Sequence, residues 1–327
     1  MDDSVPSKVF LTGAVGFIAR ALAARYRAAG AEVTGVDLVA DPTHGIVAGD
    51  IAAPGPWQQA LAGSELVIHT AAVVSNAVDL DGSWRVNVLG TRQVVDAATR
   101  GGARRLVHFS SVRAFSDLGF PDRVSEDHPV RPDGNPYVDT KIASEQVVLQ
   151  AHAAGELACT VIRPGDVYGP GSRPWTLLPL EIIRSGRFLL PARGRGVFSP
   201  VYIENLVDGV VLAAAHPDAA GQVFTLSDGV GISSREFFAH YFRRLGKRGP
   251  ICLPTAVAVP LASAADRAER LRGRRTEINA VSMRYLARRG TYSIAKARRM
   301  LGYEPAVSLD EGMRRTERWL GEQGLLG

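Results

Sequence analysis

Strand-like and helix-like segments alternate along the first 165 residues of this chain, and that alternation leaves few folds open. Val9-Phe10-Leu11, Glu32 to Asp37, Leu66 to Ala72, Arg105 to Ser111 and Ala158 to Arg163 are short apolar or β-branched runs, the length and composition of strands. Between them, Gly16–Ala29, Trp57–Ala62, Ser83–Arg100 and Tyr137–His152 carry helical patterns. Repeated β-α-β units require a parallel sheet with helices on both faces. Right-handed crossovers then give a doubly wound α/β fold, whose ligands sit at the carboxyl ends of the strands.

After Gly165 the pattern changes. Tyr168 to Arg173 is rich in Gly and Pro and reads as a loop. Val201-Tyr202-Ile203 and Val223 to Leu226 read as strands returning to the sheet, and Ser233 to Gly327 is mostly helical. The expected organisation is a dinucleotide-binding domain over 1–167, joined by those returning strands. A smaller, mostly helical substrate-binding lobe over 168–327 would cover the cleft.

Two clusters carry chemistry. Thr12-Gly13-Ala14-Val15-Gly16-Phe17-Ile18-Ala19 follows the first strand and opens the first helix. Gly13 allows a tight turn, Gly16 lets the backbone approach a pyrophosphate, and Ala19 is a third small position for close helix–sheet packing. Asp37 closes the second strand, 21 residues after Gly16. A carboxylate there accepts the adenosine ribose hydroxyls and repels a 2′-phosphate, which favours NAD over NADP. The second cluster is Tyr137 and Lys141, at i and i+4 on one helical face. A phenol loses its proton near pH 10, and a neighbouring ammonium moves it towards a useful acid–base range.

The totals set bounds. With 46% hydrophobic and 22% charged residues and a net charge of +5, the composition is that of a globular protein with a slight bias towards anionic ligands. Nucleic acid is not implied. Cys159 and Cys252 lie in apolar runs, the first residues lack a signal-peptide pattern, and no apolar run has the length of a membrane span. A reduced, soluble, cytoplasmic protein without a bound metal is therefore expected. Arg267 to Arg275 and Arg284 to Arg299 are strongly basic. They read as solvated helix faces, with a membrane-surface or anionic-ligand role as the alternative.

These motifs, in this order, resemble the extended short-chain dehydrogenase/reductase family of Rossmann-fold enzymes. That family includes nucleotide-sugar epimerases and dehydratases and a 3β-hydroxysteroid dehydrogenase-like branch. Thr12-Gly13-x-x-Gly16-Phe17-Ile18 resembles its glycine motif, with Ala19 in place of a third glycine. Asp50-Ile51 resembles the pair that flanks adenine, and His69-Thr70-Ala71-Ala72 the fourth-strand motif beside the cofactor. Asn87-Val88-Leu89-Gly90-Thr91 is similar to its helix motif and Phe109-Ser110-Ser111 to its serine motif. Arg163-Pro164-Gly165-Asp166-Val167-Tyr168-Gly169-Pro170 resembles the segment past the nicotinamide. Leu301-Gly302-Tyr303-x-Pro305 with Glu311-Gly312 is similar to its C-terminal signature. The resemblance implies Tyr137 as general acid or base, Lys141 lowering its pKa and binding the nicotinamide ribose, and Ser111 stabilising charge on the reacting oxygen. It also implies cofactor contacts from Gly13, Gly16, Phe17, Ile18, Asp37, Asp50, Ile51, Thr70, Ala71, Ala72, Asn87, Ser110, Pro164 and Val167. A homodimer follows by the same route, through helices Ser83–Arg100 and Tyr137–His152, with Val94, Val95 and Val148 on their outer faces.

Departures from the family pattern bear on the substrate. Asp166 stands where nucleotide-sugar enzymes usually carry Asn, and a carboxylate is a poor neighbour for a diphosphate. Phe198-Ser199-Pro200 aligns with their Arg-Asp-Phe, so an arginine that grips the diphosphate is replaced by an apolar ring, although Arg193 or Arg195 could substitute. Ser111 is followed by Val112-Arg113, which lacks the acid that dehydratases use. Val201-Tyr202-Ile203-Glu204-Asn205, Gly221-Gln222-Val223-Phe224 and Ile251 to Pro254 ahead of an apolar helix at Ala256–Ala264 resemble the hydroxysteroid dehydrogenase-like branch. The expected activity is an NAD-dependent alcohol dehydrogenase or ketoreductase acting on a sterol-like ring, a β-keto acid or a natural-product intermediate. A nucleotide-sugar 4-epimerase is the alternative, and a catalytically dead NAD-sensing regulator a third reading.

Overall fold

The computed structural model describes residues 5–75, 78–117, 119–274 and 276–326. Arg275 and Gly327, which end two of the stretches above, lie outside the described residues, as do the first four of the chain.

Seven parallel strands form the central sheet. They include β1 (Lys8–Thr12), β2 (Glu32–Asp37), β3 (Ile46–Ala48), β4 (Leu66–His69), β5 (Arg105–Phe109) and β6 (Ala158–Pro164). The strand Val223–Leu226 completes the sheet beside β6, and the order across it is Val223–Leu226, β6, β5, β4, β1, β2, β3. This is the doubly wound arrangement, a Rossmann-like fold, with the order reversing beside β1. Strand β1 shows why the sheet is buried on both sides. Val9 and Leu11 join one apolar cluster, and Phe10 points to the opposite face, where it meets Trp57, Val94 and Val148.

The helices between the strands are α1 (Phe17–Ala28), α2 (Trp57–Leu61), α3 (Leu80–Trp84), α4 (Thr91–Arg100) and α5 (Pro136–Ala153). Helix α1 buries Ala19, Leu22, Ala23 and Tyr26, one stripe at helical spacing. The continuous helix expected over Ser83–Arg100 is broken by a π-helical stretch, Arg85–Gly90, which joins α3 to α4 and contains Asn87. Val94, Val95 and Val148 are fully buried against the sheet. They do not form the outward faces expected of a dimer contact: helical period fixes an apolar stripe, and here the sheet is what covers it.

Beyond β6 the chain departs from the expected course at one point. Pro200–Tyr202 pairs in parallel with Asp166–Tyr168 as a separate two-stranded ribbon, and Ile203 opens the helix Ile203–Ala215. The cause is local: the Tyr202 amide donates to the Asp228 carboxylate at 3.2 Å, which ends the strand there. Around this ribbon lies an aromatic core. Phe198 stacks on Phe237 at 3.9 Å and meets Trp175 edge-on at 4.9 Å. The helices Ser234–Arg244, Thr255–Leu271, Ala280–Tyr285, Ala295–Leu301 and Leu309–Glu322 complete the chain. Among the described residues, no helix is long and apolar enough to cross a membrane, and no cluster of acidic, histidine and cysteine side chains could hold a metal ion.

Candidate active site

The glycine turn sits at the carboxyl end of β1. Gly13 has φ +66, and a Cβ added to it would lie 2.9 Å from the backbone of Ala71. That packing brings the loop after β4 directly against the turn. The Gly16 amide donates to the Gly13 carbonyl at 2.9 Å, and Gly16 itself is exposed, with Phe17 and Ile18 half-buried beside it. Helix α1 has no side-chain cap and no acid in its first turn. Its N-terminal donors and positive dipole end therefore stand uncompensated at an open backbone, a fit for a pyrophosphate. Asp37 accepts from the Val15 amide at 3.0 Å and from the Leu38 amide at 2.7 Å, which fixes its carboxylate beside the turn.

The other residues expected at the cofactor have partners within the protein. The Thr70 hydroxyl donates to the Thr12 carbonyl at 2.7 Å, and the Ala71 amide donates to the Thr12 hydroxyl at 3.2 Å. Ala72 follows, half-buried on the same loop. His69 lies buried between the hydroxyls of Thr12 and Thr91, and burial lowers its pKa to about 3, so it is a neutral structural bridge. Asp50 accepts from Arg85 at 2.7 Å and from the Ala52 amide at 2.9 Å. Burial pushes its pKa up, but those two donors outweigh it and hold the carboxyl below its usual range. Ile51 is buried against Gly90. Asn87 accepts from the Val73 amide at 2.7 Å and donates to the Thr140 hydroxyl at 3.0 Å. One amide side chain thus ties the loop beside the cradle to helix α5.

Helix α5 begins where the Asn135 side chain accepts from the Tyr137 amide at 2.9 Å, with Pro136 at its first position. This cap places Tyr137 in the first turn and Lys141 one turn on, and both are buried, at 7% and 3% exposure. Ser111, 8% exposed, follows β5; its hydroxyl accepts from the Arg113 amide at 3.2 Å and lies near enough to the Tyr137 phenol to lower its pKa. Serine, tyrosine and lysine therefore converge at the carboxyl edge of the sheet.

The electrostatics differ from the sequence expectation. Burial raises the Tyr137 phenol, and the groups that pull it back down are the Ser111 hydroxyl and the Arg113 guanidinium. Arg113 lies 5.1 Å from the centroid of the Tyr137 ring and 4.8 Å from that of Tyr285, and it pairs with Asp117. The Lys141 ammonium instead donates to the Phe109 carbonyl at 2.7 Å, and burial lowers its pKa to about 8, partly opposed by Glu145. Arg113 is the residue that motif reading missed. Its signal was a cation two residues beyond the serine, in an otherwise apolar run.

Several further residues have places the sequence did not foresee. The Ser110 hydroxyl donates to Glu145, which holds Arg163 in a buried ion pair, so this side chain is spent away from the cradle. Pro164 and Val167 lie buried where β6 ends. Asp166 is 1% exposed and is held by Tyr285, by Arg288 at 2.6 Å and by the Ser199 amide at 2.9 Å. Its charge is matched inside the protein, so repulsion of a substrate diphosphate is not its role. Phe198 is wholly buried in the aromatic core, and Arg193 and Arg195 are exposed.

Residues 9–226 match the model of the NAD dependent epimerase/dehydratase family. The chain is 30% identical over 271 residues to 3beta-hydroxysteroid-dehydrogenase/decarboxylase isoform 1 of Arabidopsis thaliana, covering 78% of this chain and 62% of that protein. It spans about half of isoform 2, at 49% of its length. Against the 3-beta-hydroxysteroid dehydrogenase of Mycolicibacterium neoaurum it is 30% identical, over 94% of this chain and 89% of the relative. The solved structure of MoeE5 in complex with UDP-glucose and NAD superposes with a TM-score of 0.77 at 25% identity, covering 97% of this chain and 99% of that one. The chain belongs to the NAD-dependent epimerase/dehydratase family.

Proposed function

We propose that this enzyme interconverts a secondary alcohol and a ketone on a largely apolar substrate, with NAD(H) preferred over NADP(H). The observation that carries the reading is the convergence of Ser111, Tyr137 and Lys141 beside an uncapped glycine cradle. When bound, the nicotinamide accepts or supplies the hydride. Tyr137 moves the proton, giving it to the substrate oxygen in reduction and taking it in oxidation. The Ser111 hydroxyl donates to the same oxygen and stabilises the charge that develops there. Lys141 binds the nicotinamide ribose, and Arg113 adds a fixed positive charge beside the phenol. Gly13, Gly16, Phe17 and Ile18 seat the pyrophosphate. Asp50, Ile51, Thr70, Ala71, Ala72, Asn87, Pro164 and Val167 border the remaining cofactor surface. The Asp37 carboxylate supports the NAD preference, since a 2′-phosphate would meet like charge, and Leu38 and Val39 follow it with no cation.

An apolar substrate is supported by the lack of an arginine at position 198 and by the hydroxysteroid dehydrogenase among the relatives. We further propose a homodimer, which the exposed Leu80, Trp84 and Leu89 of α3 and the π-helical stretch support as an apolar face. Sedimentation at micromolar concentration tests it. For the activity, hydroxysteroids, β-keto acids and nucleotide sugars are screened with NAD, NADH and their phosphorylated forms by absorbance and product analysis. Turnover of apolar alcohols or ketones, lowered about 10²–10⁴-fold by Tyr137→Phe with NADH affinity retained, is the expected result. Turnover of nucleotide sugars alone, with no net change in the reduced-cofactor band, would overturn it in favour of a 4-epimerase.

A further inference from the structure

The helix Thr255–Leu271 is bound to the rest of the protein along one narrow stripe. Ala258 and Ala262 are buried against Met283, together with Leu189, Leu253 and Ile278. The adjoining stripe is apolar and open. Val257 and Leu261 are each 50% exposed and Leu271 is 85% exposed. Pro260, Ala264 and Ala268 lie between them, also exposed, at the i+3, i+7 and i+11 spacing from Val257 that keeps them on one side. At 1.5 Å per residue the helix is about 25 Å long. Ile251, just before it, is 59% exposed.

Charge is concentrated around the same element. Arg243, Arg244, Lys247 and Arg248 precede it, and Arg267, Arg270, Arg272 and Arg274 occupy its last turns and the residues after. Asp266 and Glu269 are the only acids over 243–274, so the segment carries net +6, against +5 for the whole chain. Part of this is met locally: Arg270 pairs with Asp266 at 2.9 Å and Arg272 with Glu269 at 3.0 Å. Arg274 also approaches Glu269 at 3.9 Å, but two acids meet eight cations in this segment, and the other residues sum to about −1.

We propose that this helix is a docking surface for anionic lipid. It lies in the plane of the interface, with Val257, Leu261 and Leu271 entering the acyl boundary and the flanking arginines on the phosphate headgroups. The charge decides between occupants. A second copy would bring another +6 against the first, whereas an anionic leaflet attracts it. Nucleic acid would satisfy the arginines but leave the apolar stripe against phosphate.

This inference is independent of the catalytic reading, because its test needs no turnover. The full chain is mixed with phosphatidylcholine vesicles containing about one-third phosphatidylglycerol, and with pure phosphatidylcholine vesicles, then floated on a density gradient. Binding to the anionic vesicles alone, weakened by high salt, is expected. Val257→Asp/Leu261→Asp/Leu271→Asp should cut it about tenfold or more, with the fold retained by circular dichroism, because two of the side chains are half-exposed and the third is 85% exposed. Arg267→Glu/Arg274→Glu should also cut it. Failure to float, equal binding to both vesicles, or indifference to the substitutions would overturn the proposal. So would a dimer in sedimentation that the aspartates dissolve, since the stripe would then belong to a second copy.

Discussion

Lys141 holds a charge in a place that disfavours it, and the cost can be worked out. The residue is 3% exposed, and burial lowers its pKa from 10.5 to about 8. At about 1.4 kcal/mol per pH unit, keeping it protonated at neutral pH costs the cofactor-free protein about 3 kcal/mol. Lys141→Met removes that cost with a side chain of similar length. It also removes the hydrogen bond to the Phe109 carbonyl, worth about 1 kcal/mol. The variant should thus be more stable by about 2 kcal/mol at pH 7 while losing turnover. The sign with pH is fixed. The folded pKa lies below the unfolded one, so the cost is present in full below about 8 and fades as pH rises towards 10.5. The advantage should shrink to about zero by pH 10. Urea unfolding of both proteins without cofactor, at pH 7 and pH 10, measures this, and other titrating groups cancel in the difference. A variant less stable than the parent at pH 7, or a gap that does not close by pH 10, would refute the reasoning.

Three other perturbations read different parts of the structure. Gly13→Ala forces a Cβ to 2.9 Å from the Ala71 backbone at a φ of +66, so it should cost about 1–3 kcal/mol and weaken NADH binding at least tenfold by fluorescence titration. Ser110→Ala should leave NADH affinity within about twofold, because the hydroxyl serves Glu145, whereas Glu145→Ala strands the buried Arg163 and should cost about 3–5 kcal/mol in urea unfolding. Burial raises the Asp228 carboxyl to about 7 against the donors Asn205 and Tyr202, so stability from its neutral form is present below about 3.8 and lost as pH rises through about 7. Asp228→Asn should therefore melt higher than the parent at pH 8, with the gap narrowing or reversing towards pH 5.

The sheet was legible because most of its strands, β1, β4 and β5 among them, are largely buried and appear as short apolar runs, with ends set by glycine and helix patterns. Strand β3 escaped notice because three residues, Ile46–Ala48, are too short to show a period. The π-helical stretch at Arg85–Gly90 escaped for another reason. It inserts an extra residue into an otherwise helical pattern, and neither propensity nor polarity marks the insertion. In the site, the glycines, Asp37, Tyr137 and Lys141 could be found because local spacing alone puts them in register. Ser111 needed the resemblance, since a strand-end serine has no spacing to declare it.

What spacing cannot convey is the third dimension of charge. From the sequence, Lys141 is the cation nearest the phenol, because i and i+4 share a face. In the fold its ammonium is drawn to the Phe109 carbonyl, and Arg113, from a different element, comes within 5.1 Å of the ring. Asp166 gives the same lesson with the opposite sign. Beside the active-site segment it reads as a negative charge that a diphosphate must avoid. Yet Arg288, 122 positions further on, folds back at 2.6 Å and cancels it. A charge excludes a ligand only if the ligand can see it. Phe198 is as buried as Asp166, so by the same rule neither side chain faces a ligand, and neither excludes a phosphorylated substrate.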